Sequence, residues 1–593
     1  MDQEIRNKLR NVVTQCRKLL EDSVSQELEG KYGIFAKKDQ VTADPNAKMM
    51  HLTEEEQAAR KDILDHFGHI KARGFKPKEA LDQLVREIAF THLNRLCAYK
   101  MMEAREVYVG GQKFREAVSR GINSNGVKFY LVDHPEEERL FNTGHQDVAY
   151  RHFLDWLGGL LSDEIGVLFN PNDPANRLYP RQKTLDEVLD LLNGGGIKAE
   201  ETQLREEWPK IWSQDETIGW VYQYFTPKEL RDAARDPKKG GSQAPRNSYE
   251  LAFRNQFFTP RYVVEFLTDN TLGRIWFEMR KGDTKFKDQC SYMVRRPTEI
   301  FLKECEQPPK DAGEGRDDLS QPERFKFPVH IPHRPKKDPR DLKVLDPACG
   351  SGHFLLYCFD LLLTIYEEAY ADPELGPALQ TDYPTLEDLR RHVPRLNLAR
   401  NLHGIDIDLR CSQIAALALW LRCQRAYLEL GLKKDRPKIT RSNFVCAEPM
   451  PGEEQMLTDF SGQLEPRLLG QLVKVVFDKM KLAGEAGSLL KIEEEIRDAV
   501  SQARKQWLDG PIAIQSRLFD VGTPLTEQQR FDLSGVTDAQ FFEQAEEKVV
   551  DALRAYAETS RTDSGSPGNS SRKMLYEGLL SWTSATSGLM PCL

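Results

Sequence analysis

The stretch Lys343–Leu362, KVLDPACGSGHFLLYCFDLL, passes from a short apolar run into a glycine-rich turn and then into an amphipathic segment. Val344 and Leu345 read as the end of a strand. Gly350 and Gly352 allow the backbone to turn tightly and approach a ligand, and the apolar run from Phe354 to Leu363 reads as a helix packed on a sheet. Strand, turn and helix in this order make a ligand seat. Two common versions of it are missing their key residues: no third spaced glycine completes a dinucleotide fingerprint, and no Gly-Lys-[Ser/Thr] follows to hold phosphates.

The carboxylate at the strand end narrows the ligand further. Asp346 would repel a pyrophosphate, but it suits a ligand that presents hydroxyls, an ammonium group or another positive charge. S-adenosylmethionine carries both a sulfonium and an α-amino group. The next half of the unit, NLHGIDIDLRCSQIAALALWLRCQRAYLELG (Asn401–Gly431), predicts a strand ending in Asp406 and a long helix that buries Ile414, Leu417, Ala418 and Leu421. A carboxylate at the end of a second strand accepts hydrogen bonds from ribose hydroxyls in doubly wound nucleoside sites. A third strand, within ITRSNFVCAEPM (Ile439–Met450), is expected to lead to Glu448, within reach of an adenine amino group. Any one of these acids alone is an ordinary turn or cap residue. Three acidic strand ends in succession, the first inside a glycine loop, form a pattern.

The rest of the chain sets the frame. With 593 residues it should hold three or four units, at roughly 100–200 residues each. A formal net charge of -9 argues against a wholly basic nucleic-acid coat, and the ten scattered cysteines contain no C-x-x-C pair that would signal zinc or a disulfide framework. The expectation is reduced thiols, no metal and a cytoplasmic location, with neither a signal peptide nor a membrane segment in the sequence. Residues 1–245 read as a helical N-terminal domain, in which LDQLVREIAFTHLNRLCAYKMME buries Leu81, Leu84, Ile88, Leu93 and Leu96. RDPKKGGSQAPRN (Arg235–Asn247) reads as a linker. Residues 246–460 form the ligand-binding core, with an irregular insertion at about 285–341. The basic residues of that insertion, Lys336, Lys337 and Arg340 among them, are either a solvated loop or a phosphate-facing edge. Helical periodicity returns over 461–558, and 559–593 is polar, low in complexity and expected to be disordered.

At the level of motifs, DPACGSGHFL (Asp346–Leu355) resembles the cofactor motif of adenine-N6 DNA methyltransferases. NQFFTPRYVVEFL (Asn255–Leu267) resembles the segment that precedes this motif in type I and type IIG restriction-modification enzymes, and Asn401–Asp408 and Cys446–Pro449 resemble later segments of the same family. DETIGWVYQYF (Asp215–Phe225) is similar to part of the helical N-terminal region of the large methyltransferases of BREX (phage growth limitation) defence systems. The likeness extends to about Tyr556. It implies an α/β fold: a class I S-adenosylmethionine-dependent (Rossmann-like) core, a helical N-terminal domain and a helical C-terminal extension. The implied reaction is methyl transfer to N6 of adenine in double-stranded DNA, alongside other phage-defence subunits. Phe258, Thr259 and Pro260 would then wrap the methionine end, while Asp346, Ala348 and Gly350 line the cofactor. Asp406 would hold the ribose, Ile407 would join the cofactor-binding set, and Glu448 would face the adenine ring.

One family motif is missing. An [Asn/Asp]-Pro-Pro-aromatic segment should follow, to accept hydrogen bonds from the flipped adenine amino group and to stack on the base. The nearest strings, LFNPNDP (Leu168–Pro174) and EQPPK (Glu306–Lys310), lack the second proline or the aromatic. In a circularly permuted enzyme Asn170 could serve, but a turn rich in Asn and Pro is the simpler reading. The final residues, SRKMLYEGLLSWTSATSGLMPCL, begin like the approach to a fourth strand and then lose periodicity. The expectation is a truncated chain, or one completed by a downstream polypeptide that carries the catalytic motif and target-recognition region. The catalytic residues themselves are not identified. The alternative is a non-catalytic cofactor-binding or assembly subunit.

Overall fold

The structure is a computed structural model. It describes residues 2–562, apart from 39, 45–48, 73–74, 106, 110, 172, 237–247, 255–258, 310–319, 321–322, 324–326, 434, 440–441, 447–453, 481–491, 518–530 and 537–538. The expected linker at Arg235–Asn247 and the expected tail at 559–593 therefore lie mostly outside the described residues.

Helices dominate. β1 (Phe35–Lys37) pairs with β2 (Gln40–Thr42), and β3 (Tyr108–Val109) with β4 (Gln112–Lys113), as short antiparallel ribbons. β5 (Glu299–Phe301) and β6 (Val329–Ile331) form a parallel pair inside the stretch expected to be irregular. The sheet that positions the candidate site is β7 (Val344–Asp346), β8 (Leu402–Asp406) and β9 (Asn443–Cys446), parallel and in that spatial order. Its register pairs Asp346 with Gly404 and Asp406 with Cys446. The helix His353–Ala371 opens the crossover after β7, which continues through Gly376–Asp382 and Leu386–Leu396, and a second crossover helix, Leu409–Glu429, follows β8.

Each crossover begins on a residue suited to it. Gly352 stands at the N-cap of the first helix with φ +82°, a left-handed conformation that glycine adopts without Cβ strain. Asp408 caps the second by accepting the Arg410 N–H at 3.0 Å. Ile414, Leu417, Ala418 and Leu421 are all buried on it, as their spacing predicts. Fully buried Asn401 locks the strand entry, donating to the carbonyls of Pro339 and Leu342 at 2.7 Å each and accepting from the Tyr366 hydroxyl at 3.0 Å.

In the N-terminal region Leu81, Leu84, Ile88, Leu93 and Leu96 are buried along the helix Pro77–Ala104. One hydrophobic core runs from this region, with Leu9, Phe90 and Trp208, through to Leu361 and Leu417 beside the sheet. The helices Glu454–Gly462, Arg467–Met480, Ile492–Arg517 and Gln540–Thr562 pack on one another around a second core that includes Leu472, Phe477, Ala503 and Val549. Among the described residues, no helix is long and apolar enough to cross a membrane.

Two charged features resolve as local structure. Lys336 meets Asp372 at 2.8 Å and Glu374 at 3.2 Å, and Arg340 meets Asp338 at 2.6 Å and also pairs with Asp382. These cations are neutralised within the fold rather than presented to phosphates. Within LFNPNDP, Leu168 and Phe169 end the single-turn helix Gly166–Phe169, and the Asn170 carbonyl accepts from Asp173 N–H at 3.1 Å and Asn176 Nδ2 at 2.7 Å.

Candidate functional site

The parallel register brings Asp346 and Asp406 to the same end of neighbouring strands, with the glycine turn between them. Backbone hydrogen bonds fix that turn: Cys349 N–H donates to the Ile405 carbonyl at 2.9 Å, and Gly350 N–H donates to Asp406 Oδ2 at 2.9 Å. The loop after β7 is thus tied to the end of β8. Gly350 has φ +53°, and a Cβ built on it would meet nothing within 4 Å, so this residue faces open space. Gly352 and Gly404 serve packing instead. A Cβ on Gly352 would stand 3.2 Å from that of Ala415, and one on Gly404 would lie 2.7 Å from the Phe444 ring.

Asp346 is 7% exposed. Its Oδ1 accepts the Ala348 N–H at 3.2 Å, while its Oδ2 is buried without a partner. Burial raises its pKa, and the single backbone hydrogen bond offsets only part of that. A buried carboxylate oxygen left unpaired costs free energy that a bound cation or donor would recover. This is the fit expected for an ammonium group.

Asp406 is more fully engaged. Besides Gly350, it accepts the Asp408 N–H on Oδ1 at 2.9 Å. A carboxylate has about four lone-pair sites, so room remains for hydroxyl donors. Burial pushes its pKa up to about 6, with the Asp408 charge adding to the rise and the two N–H groups opposing it. Because the folded value lies above the ordinary carboxylate range, this group stabilises the fold at low pH, and that contribution is lost as pH rises through about 6. Hydroxyl donors favour the charged form, so ligand affinity should run the other way. Affinity for a ligand that donates hydroxyls to Asp406 is expected to fall by up to about tenfold per unit as pH drops below about 6, and Asp406→Asn should remove that step. Calorimetry from about pH 5 to about pH 8 reads it; a wild-type affinity that does not change with pH contradicts it.

Behind the turn lies a buried brace that spacing in the sequence could not reveal. Asp408 holds the Arg410 side chain through three contacts, Nε to Oδ1 at 2.9 Å and to Oδ2 at 3.1 Å, and Nη2 to Oδ2 at 2.6 Å. Tyr222, from the helix Thr217–Phe225, donates to Asp408 Oδ2 at 3.0 Å, and the Cys411 thiol donates to the Tyr222 hydroxyl at 2.8 Å. The segment Asp215–Phe225 thereby reaches the end of β8. At the rim Ile407 is 41% exposed, which leaves apolar surface beside the seat. Thr259 and Pro260 precede the helix Arg261–Thr268, which packs on the glycine-turn helix His353–Ala371. Phe258 and Glu448 lie outside the described residues.

Comparisons with known proteins place the glycine turn inside a methyltransferase-like segment. The family model described as the MmeI DNA-methyltransferase domain matches residues 336–440, which contain the turn, β7, β8 and both crossover helices up to Glu429. The adenine-specific methyltransferase PglX of Lacticaseibacillus casei (strain Zhang) is 26% identical over 520 residues, covering 83% of this chain and 38% of that protein. The adenine-specific methyltransferase BrxX of Escherichia coli O9:H4 (strain HS) is 27% identical over 389 residues, 63% of this chain and 27% of its own length. A putative type II restriction enzyme and methyltransferase of Methanocaldococcus jannaschii is 36% identical over 302 residues, 49% of this chain and 20% of its own. The chain thus spans well under half the length of each of these relatives. The chain is similar in sequence to adenine-specific methyltransferases of the BREX and type IIG restriction-modification kind, with a methyltransferase-domain match over the glycine turn.

Proposed function

We propose that the chain binds S-adenosylmethionine over the glycine turn and serves transfer of its methyl group to N6 of adenine in double-stranded DNA, in restriction-modification or phage defence. The observation that carries this reading is the buried, unpartnered Oδ2 of Asp346 beside the open space at Gly350. When bound, the cofactor supplies a methyl group already activated on a sulfonium. The residues of the chain orient it. Asp346 Oδ2 accepts from the ammonium group, Ala348 and Gly350 form the wall, and Asp406 takes ribose hydroxyls. Ile407 offers apolar contact to the base. Thr259 and Pro260 close the methionine end with Phe258, and Glu448 faces the adenine ring, as the family motifs imply.

The sheet order supports a class I, Rossmann-like core, because β9-β8-β7 repeats the 3-2-1 half of a doubly wound sheet. The division into 1–245, 246–460, 461–558 and 559–593 goes with this reading, as do a cytoplasmic location, double-stranded DNA and other defence subunits as partners. A second reading, a non-catalytic cofactor-binding or assembly subunit, is favoured by one observation: none of the 593 residues forms an Asn-Pro-Pro-aromatic motif.

Calorimetry tests the cofactor assignment. Losing one charge-assisted hydrogen bond costs about 1.5–3 kcal/mol, so Asp346→Ala and Asp406→Ala should each weaken S-adenosylmethionine binding about tenfold or more. Melting temperatures serve as the folding control. Wild-type affinity in a folded Asp346→Ala variant would sink the assignment.

A further inference from the structure

The N-terminal helices enclose a second cavity, of about 260 Å³, between the helices Pro77–Ala104 and Gln146–Ser162 and the turn that follows Phe169. Arg95, Tyr99, Leu154, Gly158 and Phe169 line it, and exposed Asp155, Pro171 and Arg177 stand at its mouth. Arg95 is 8% exposed. Its Nε donates to the Leu168 carbonyl at 2.9 Å and its Nη1 to Asn176 Oδ1, but its Nη2 is buried without a partner. Both partners are neutral. The Asp155 carboxylate attracts this charge through space, but the Arg95 hydrogen bonds go only to neutral groups, and the donor left over is one that an anion would satisfy.

The walls say what else the ligand carries. Phe169 lies under the Arg95 guanidinium at 5.9 Å and against the Tyr99 ring at 5.5 Å, so flat aromatic surface adjoins the charge. The Asp155 carboxylate is occupied by the Tyr179 hydroxyl at 2.8 Å. His92, also on the wall, is held neutral at physiological pH by burial and by the nearby Arg95 charge. The volume, just below the lower end of small-molecule sites at roughly 300 Å³, points to a ligand no larger than a single nucleotide.

We propose that this cavity is a second ligand site, which binds a small anion bearing a flat ring, of nucleoside-monophosphate size, with the anionic group on Arg95 Nη2 and the ring against Phe169 and Tyr99. It is separate from the glycine turn and does not rest on the cofactor reading.

Calorimetry and thermal melting of the full chain should use AMP, GMP, CMP and TMP as phosphate probes and benzoate as the carboxylate probe, with the matching nucleosides and inorganic phosphate as part-ligands. At least one ring-bearing anion should bind with Kd at or below about 1 mM, and its nucleoside or bare anion at least about tenfold more weakly. Binding should persist in Gly350→Val, which separates this site from the cofactor seat. It should weaken about tenfold or more in Arg95→Met. Gly158→Leu is the second variant: a Cβ there would stand 3.6 Å from Phe169 and from the Tyr99 hydroxyl, an ordinary contact, so the longer side chain fills the cavity without touching the Arg95 hydrogen bonds. If Arg95→Met does not fold, Gly158→Leu decides. Failure of every probe to bind the wild type, or wild-type affinity in Gly158→Leu, overturns the proposal.

Discussion

Gly350→Val is expected to abolish S-adenosylmethionine binding while leaving the chain folded. The residue holds φ +53° and faces open space. Strain from a left-handed non-glycine residue costs roughly 1–2 kcal/mol, which a domain with a core of this extent can absorb. The valine side chain would project into the volume proposed for the ligand, so affinity should fall by about a hundredfold or more, equivalent to roughly 3 kcal/mol. Gly404→Ala is the contrast. Its Cβ would meet the Phe444 ring at 2.7 Å and Cys349 Sγ at 3.1 Å, so that variant should lose melting temperature first and binding only as a consequence. Circular dichroism and calorimetry on the two variants separate seat from scaffold. Normal binding by folded Gly350→Val would mean that the turn is structural and the seat lies elsewhere.

The parts of this architecture that the sequence made legible are those carried by short-range periodicity. Ile414, Leu417, Ala418 and Leu421 recur at three- and four-residue steps, and all are buried on one helix. The strand ends at Asp346 and Asp406 were legible too, since an acid that closes an apolar run marks a boundary by itself. What was hidden depends on partners far away in the chain. The Tyr222–Asp408 hydrogen bond joins residues 186 positions apart, and the Arg17–Phe225 contact joins residues 208 apart. No local pattern encodes either one. β5 and β6 are three residues each, too short for alternation to stand out from a loop. Lys336 and Arg340 left open a solvated loop or a phosphate-facing edge because sequence displays charges without their partners, and Asp372 and Asp382 lie 36 and 42 residues further on. Most telling is Asp346: its position could be read from the sequence, but the unpartnered oxygen that gives it a role needed three dimensions.

The purified chain, supplied with S-adenosylmethionine and unmodified genomic DNA, is expected to bind the cofactor and transfer little or no methyl to DNA. Adenine N6 is a weak nucleophile, and its amino group must be polarised and its ring held outside the duplex before transfer can occur. In the adenine methyltransferases that the chain resembles, those tasks fall to an Asn-Pro-Pro-aromatic motif, which none of the 593 residues supplies. The proposed seat assigns Asp346 and Asp406 to the cofactor, and the Asn170 carbonyl closes a turn in the N-terminal region. Adding a polypeptide that contributes an Asn-Pro-Pro-Phe strand should raise transfer by several orders of magnitude, because orienting the reactants is worth about 7–11 kcal/mol in favourable cases. A tritiated-methyl assay, with N6-methyladenine identified in the digested DNA, reads both arms. Activity that requires the second polypeptide would establish a split methyltransferase, with this chain as its cofactor-binding half. Clear N6-methyladenine from the chain alone would mean that the acceptors are already present in an unrecognised form, and Asn170 would be the first residue to replace.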